Sequence, residues 1–383
     1  MLALPARYKL PSAAHIYRLG VKELWSLVRD PVMLVLIVYT FTLGIYAAAT
    51  AMPDSLHNAA IAIVDEDASP LSARIVASFY PPNFKAPRLI SLAQADAGMD
   101  NGDYTFVLDI PPGFQRDVLA GRAPVAQLNV DATRMSQAFT GSSYVQQMVA
   151  GEVAEFVQRT RGQGAPPVDL ALRMRFNPNL EQAWFGSLME IINNVTMLSI
   201  ILTGAALIRE REHGTVEHLL VMPVTPAEIM LAKVWAMGLV VLLAALVALV
   251  GVVQGALHVP VQGSVALFLG VAALHLFATT SMGIFMATLA RSMPQFGMLM
   301  MLVLVPLQML SGGATPRESM PHAVQTLMLA APNTHFVMAA QAILYRGAGL
   351  DVVWPQLLAI AAIGALLFAA SLARFRRTIS QMG

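Results

Sequence analysis

The chain has 383 residues, 56% of them hydrophobic and only 12% charged, with a mean hydropathy of +0.62. Soluble domains carry about 25% charged residues, so this balance excludes an ordinary soluble globular protein and points to a polytopic membrane chain. The formal net charge of +1 says little by itself, no nucleic-acid partner is expected, and the absence of cysteine excludes disulfides, thiolate metal sites and cysteine nucleophiles.

Residues 1–31 form a basic leader containing Arg7, Lys9, Arg18, Lys22 and Arg29. His15, Arg18, Lys22, Ser26 and Arg29 recur at helical spacing, with Ile16, Leu24, Leu27 and Val28 elsewhere on the wheel. That pattern predicts an interfacial helix whose basic face meets anionic headgroups. Asp30 and Pro31 supply a cap and a first-turn proline for the apolar run at 32–51. The run ends in Ala47-Ala-Ala-Thr-Ala51, which resembles a cleavage region. Its leader is too long and its core too extended for a signal peptide, so it reads as a retained signal anchor.

Between 52 and 185 the character changes. Strand-like runs at 59–64, 88–92, 104–110 and 125–131 alternate with helical ones at 70–79, 93–101, 112–120 and 136–161, and a closing strand is expected near 168–176. This alternation predicts a separate α/β domain with a mixed sheet. Asp65-Glu66-Asp67 follows the first strand and reads as a solvated turn rather than a cation site.

From 186 to 383 the chain is again apolar, with spans near 187–208, 234–257, 264–289, 296–311 and 355–373. Each run is of the order needed to cross about 30 Å of hydrocarbon, which makes six crossings with the first. Arg209, Arg211 and Lys233, then Arg291, then Arg374, Arg376 and Arg377 all fall on the side of the basic leader. Both termini are therefore expected in the cytoplasm, with 52–185 outside. Inside the spans, Glu190, Asn193 and Asn194 share one face by i, i+3, i+4 spacing. His275 lies about 16 Å into the fourth span at 1.5 Å per residue. Such groups either line a translocation path or hold helices together by hydrogen bonds. Gly251 and Gly255 form a weak packing motif.

The stretch from Arg209 to Lys233 is too charged to face lipid. Gly214 interrupts the helix leaving the membrane, Thr215 can cap a short helix ending at Pro223, and Thr225-Pro226-Ala227-Glu228 reads as a capping box. A solvated loop would be as charged but would not need two capped starts. A short helix held across the membrane face is what a soluble motor needs to push on. The chain itself has no phosphate-binding loop, and His213, Glu217 and His218 lack the order of a zinc hydrolase. No catalytic, cofactor or metal site is expected, so active transport has to be driven by another subunit or by an ion gradient.

Glu210-Arg-Glu-x-Gly-Thr-x-Glu-x-Leu-Leu-x-x-Pro223, followed by Glu228 and Lys233, resembles the cytoplasmic signature of ABC-2 type permeases. Asp65 with Ser69-Pro-Leu-Ser72, Asp103-Tyr-Thr-Phe-Val-Leu-Asp-Ile-Pro-Pro-Gly-Phe114, Leu119-Ala-Gly121 and Val130-Asp131 resemble the large-periplasmic-loop branch of that family. Phe176-Asn-Pro-Asn179, Ala278-Thr-Thr-Ser-Met-Gly-Ile-Phe285, Ala290-Arg-Ser-Met-Pro294 and Gln308-Met-Leu-Ser-Gly-Gly313 are similar to inner-membrane YhhJ-type permeases of Gram-negative bacteria.

The resemblance implies a six-span, type V exporter-like half-transporter that pairs with a second permease protomer, as a homodimer or heterodimer. It also implies a separate ABC ATPase subunit, which would carry the ATP and magnesium. The coupling helix would run over about 215–222, with Glu210, Arg211, Glu212 and Glu217 as polar contacts. Gly214, Thr215 and Pro223 would set its ends, and Leu219 and Leu220 would form its apolar ridge. Relatives with a large outer domain work with a periplasmic adaptor and an outer-membrane channel, which implies efflux across the envelope. The broken segment 311–354 resembles outer re-entrant helices. Pro306 just before it and Gly312-Gly313, Pro316, Pro321 and Pro332 within it are expected to divide short pieces, and Asn333-Thr334 to cap one of them. Two other readings stay open. One is a proton-coupled secondary transporter using Glu190 or His275, and the other is a membrane-anchored envelope scaffold.

Overall fold

The computed structural model describes residues 11–50, 58–131, 135–161, 182–212 and 224–380. They divide into two compact units, a helical one built from 11–50 and 182–380 and an α/β one built from 58–131 and 135–161.

The helical unit begins with α1 (Ala13–Val28), which buries Gly20, Glu23 and Leu27 and exposes Tyr17 and Trp25. After Arg29 the chain restarts as α2 (Pro31–Thr50). Asp30 Oδ1 accepts from Met33 N at 3.1 Å and Pro31 takes the first helical position, as the cap chemistry predicts. Within α2 the stretch Thr40–Gly44 widens into π-helical turns. Asn194 Nδ2 donates to Thr40 O there at 2.9 Å, where the wider turn loosens the i→i−4 ladder.

The α/β unit contains β1 (Ile61–Asp65), α3 (Pro70–Ser78), β2 (Arg88–Leu89), α4 (Leu92–Asp100), β3 (Phe106–Ile110), α5 (Phe114–Leu119), β4 (Gln127–Val130) and α6 (Met135–Arg161). The sheet order is β2-β1-β3-β4, with β1 parallel to both β2 and β3, and β3 antiparallel to β4. Register pairs Ile61 with Phe106 and Leu108 with Leu128. Alternation along β1 sends Ile61 and Ile63 to one face, against Leu71, Ile75, Phe114 and Val145. Ala62 and Val64 go to the other face, with Ala95 of α4. The mixed sheet thus has helices on both faces. The expected closing strand at 168–176 lies outside the described residues. Asp65 and Asp67 serve the turn after β1. Asp65 accepts from Ala68 N (2.9 Å) and Ser72 Oγ (2.8 Å), and Asp67 Oδ2 accepts from Gln115 N (3.0 Å) at the start of α5.

The helical unit resumes with α7 (Gln182–Glu212), α8 (Pro226–Ala256), α9 (Val265–Leu289), α10 (Met293–Leu310), α11 (His322–Met328), α12 (Pro332–Arg346) and α13 (Leu350–Ser380). Among the described residues six helices are long and apolar enough to cross a membrane, or seven if α11 and α12, bent by 91°, count as one broken span. α7 is central. Leu188, Ile191, Ile192, Val195, Leu198 and Leu202 are all buried, and the helix packs on α2, α8, α9, α10 and α12. α7 and α9 approach so closely at Gly283 that a Cβ there would lie 2.8 Å from Ile200 O.

Two local expectations need correction. Pro306 does not break the segment after the fifth span but lies inside α10. A proline is tolerated at membrane depth when neighbouring groups satisfy the freed backbone. Asn333 and Thr334 do not cap α12 either. The N-cap is Ala331 with no side-chain hydrogen bond, and Pro332 follows it without an N–H to satisfy. The Asn333 side chain turns inward instead.

Candidate coupling face and intramembrane polar core

At one end of the helical unit α1 lies against α8. Trp235 Nε1 donates to Ile16 O at 3.1 Å and the indole stacks on Tyr17. Gly20 permits this approach, since a Cβ there would sit 2.2 Å from the Trp235 ring. Two residues before Trp235 on α8, Lys233 is only 1% exposed. Its Nζ lies 3.0 Å from Glu23 Oε1 and 2.8 Å from Glu210 Oε2, while Glu210 Oε1 takes Lys22 Nζ at 2.6 Å. Burial alone depresses the Lys22 ammonium, but Glu210 and then Glu23 outweigh it and raise its pKa.

The neighbours of Glu210 are fixed as well. Arg209 pairs with Asp30 at the start of α2. Arg211 Nη1 donates to Ala290 O at 2.7 Å, and Glu212 Oε1 accepts from Met293 N at 3.0 Å. The last turn of α7 is therefore pinned to α1, α2, α8 and the α9–α10 junction within four consecutive residues. Across the gap to α8, the capping box is formed as the sequence suggests. Thr225 Oγ1 accepts from Glu228 N, and Glu228 Oε2 accepts from Thr225 N. Glu228 Oε1 also receives Ser12 N at 2.7 Å and faces His15 Nδ1 at 3.1 Å. Both ends of the intervening segment are thus anchored to α1.

Of the residues expected to touch a motor subunit, Glu210 is turned inward by its two ammonium partners, its side chain only 12% exposed. Arg211 is half-buried and Glu212 exposed. Gly214, Thr215, Glu217, Leu219, Leu220 and Pro223 lie outside the described residues. The leader helix also differs from a simple basic face on headgroups, because Lys22 and His15 are directed to Glu210 and Glu228. Sequence reasoning missed Glu23 altogether. Its signal was an acid inside the basic helix of the leader, where Asp30 is already used as a cap, matched by a lone lysine at the start of an apolar run.

Midway along α7 a second polar cluster forms. Thr196 Oγ1 donates to Asn333 Oδ1 at 2.7 Å and lies 2.9 Å from His275 Nε2. Asn333 Nδ2 donates to Leu307 O (3.1 Å) and Ser311 Oγ (2.9 Å). Those carbonyl and hydroxyl partners assign the Asn333 amide, so the single Thr196 proton goes to Oδ1 and His275 must donate from Nε2. His275 Nδ1 is then the buried unprotonated nitrogen, without a hydrogen-bond partner among the described residues, and the ring stacks on Phe336 at 4.0 Å. Ser199 Oγ donates to Thr279 Oγ1 at 2.7 Å one turn below. This cluster joins α7, α9, α10 and α12. The shared face expected for Glu190, Asn193 and Asn194 is kept in part. Asn194 is buried against α2 and its side chain also meets that of Glu190, while Glu190 and Asn193 lie on a half-covered stripe of α7 with Met197 and Ile201.

Residues 31–373 match a family described as ABC-2 family transporter protein. The chain is 62% identical over 368 residues to the inner membrane transport permease YhhJ of Escherichia coli, covering 96% of this chain and 98% of that protein. It is 28% identical to the probable multidrug ABC transporter permease YbhR of the same organism, covering 94% and 97%. The probable multidrug ABC transporter permease YbhS of E. coli matches at 28% over 188 residues, 48% of each chain.

Proposed function

Because the chain belongs to the ABC-2 family of transporter permeases, we propose that it is the membrane-spanning subunit of an ATP-driven exporter, worked by a separate ABC ATPase that docks on residues 209–223. The observation that carries this reading is the pinning of Arg209, Glu210, Arg211 and Glu212 to four structural elements at once. A push on the segment joining Glu212 to Thr225 would move α1, α2, α7, α8 and the α9–α10 junction together. In this arrangement Glu210 transmits rather than docks. Arg211, Glu212, Gly214, Thr215, Glu217, Leu219, Leu220 and Pro223 form the docking face. The chain binds no cofactor of its own and catalyses nothing, with ATP and magnesium held by the partner.

The basic leader and Arg209, Arg211, Arg291 and Arg374 support a cytoplasmic side for both termini and the docking face. The α/β unit then stands outside the inner membrane, positioned for a periplasmic adaptor and outer-membrane channel. A second protomer completes the pathway, with Glu190 and Asn193 on the stripe of α7 left half-covered in the single chain. Asn194 and His275 are engaged between helices, a placement that favours holding the bundle together. Two relatives described as probable multidrug permeases support a small or amphipathic cargo.

Glu212→Lys and Gly214→Pro test the reading. Each should leave membrane insertion intact while lowering ATPase pulldown or uncoupling ATP hydrolysis from transport. Unchanged association and transport in both variants would remove the docking role. Collapse of the proton gradient with ATP maintained should leave transport running.

A further inference from the structure

At the end of α7 remote from Glu210, a cavity of about 470 Å³ opens between Phe185, the Gly312–Arg317 loop, α12 and the first turns of α13. Two guanidinium groups, Arg317 and Arg346, line it, against one carboxylate, the exposed Glu318. Neither arginine has a carboxylate partner among the described residues. Arg317 instead sets Nη1 against Met338 Sδ at 3.0 Å and Nη2 against Gln325 O at 3.5 Å, and its Nε is buried with no acceptor among the described residues. A thioether and one long carbonyl contact are weak partners for a five-donor cation suited to carboxylates and phosphates. Gln356 presents a buried Oε1 to the same cavity, with no donor among the described residues. The rim is apolar and uncovered: Phe185 is 40% exposed and Val352 54%.

From this arrangement we propose that the cavity binds the anionic headgroup of an amphiphile, a phosphate ester bearing a hydroxyl. The arginines take the phosphate oxygens, Gln356 accepts from the hydroxyl, and the apolar tail leaves past Phe185 and Val352. Arg346 has a structural use as well, since it lies in the last turn of α12, where a cation favours the helix. Arg317 has no such use, and its half-buried charge is what calls for a ligand.

The test uses the purified full chain, with binding read by native mass spectrometry against phosphatidylglycerol, phosphatidylcholine and glycerol 1-phosphate. Phosphatidylglycerol should bind, with Arg317→Gln and Arg346→Gln each weakening it by about tenfold or more, the loss expected for one charge-assisted contact. Arg317→Lys, which keeps the charge, should retain more binding than Arg317→Gln at an equal melting temperature, separating ligand loss from misfolding. Competition by glycerol 1-phosphate would identify a site satisfied by the free phosphate ester. Its failure to compete, with the lipid still bound, would identify one that requires the tail. Equal affinity for phosphatidylcholine and phosphatidylglycerol, or undiminished binding in both glutamine variants, overturns the proposal.

Discussion

Replacing Lys233 with methionine keeps the apolar stem and deletes only the ammonium. That group lies 3.0 Å from Glu23 Oε1 and 2.8 Å from Glu210 Oε2, with Glu23 itself 6% exposed. At an effective dielectric of about 20, a contact near 3 Å is worth about 5 kcal/mol before desolvation is charged against it. Removing one member of a buried pair costs about 3–5 kcal/mol, because the abandoned charge stays out of water. The two carboxylates do not suffer equally. Glu210 keeps Lys22 at 2.6 Å, whereas Glu23 is left with the same ammonium at 3.5 Å. Most of the loss therefore falls on Glu23, and Glu23→Gln should repair it. Thermal unfolding of the purified chain should show Lys233→Met lowering the midpoint by on the order of 10 °C. The double variant should recover about half of that, with a coupling energy of about 2 kcal/mol. Strictly additive losses across the cycle would show that the ammonium and the Glu23 carboxylate do not interact, and the pinned end of the bundle would lose its keystone.

Gly283→Ala would drive a Cβ to 2.8 Å from the Ile200 carbonyl, a backbone atom that cannot swing aside. It should cost about 1–3 kcal/mol, read as a lower unfolding midpoint, while Gly251→Ala, with nothing within 4 Å, should be silent. Thr196→Val strands Asn333 Oδ1 and His275 Nε2–H together, a loss of about 1–3 kcal/mol for each unsatisfied group. The same unfolding assay should rank it below Ser199→Ala. Asp67 is pushed up by partial burial, but hydrogen bonds from Ser69 and from the backbone of Gln115, Gly113 and Phe114 hold its pKa below the ordinary value. A depressed carboxylate stabilises the folded state above its unfolded pKa of about 3.9, and that contribution is lost as pH falls through the folded value. Hydrogen-exchange protection over 113–119 should therefore decline on acidification below pH 4 in the wild type and change less in Asp67→Asn.

What could be read in advance was local chemistry. Asp30 with Pro31 and Thr225 with Glu228 declare helix starts within four residues, and both caps form. The apolar run at 59–64 likewise declares a strand, which the fold then covers on both faces. Partnerships across the chain were not legible. Lys233 finds Glu23 across 210 residues, and Thr196 finds Asn333 across 137. A sequence shows that such groups are costly in hydrocarbon but not which helix will face them. Asn333 was misassigned for that reason, since next to a proline an asparagine reads as a cap. Pro306 misled similarly, because its usual meaning as a helix breaker comes from water-exposed helices, where no neighbouring helix compensates.

The cysteine-free chain permits one direct measurement. A single Glu217→Cys variant, expressed in intact cells with its ATPase, can be challenged with a membrane-impermeant maleimide before and after permeabilisation. The thiol should stay unlabelled until the membrane is opened, and should then be shielded by the bound ATPase. Labelling in intact cells would put the segment on the wrong face of the membrane, and no soluble ATP-burning partner could reach it.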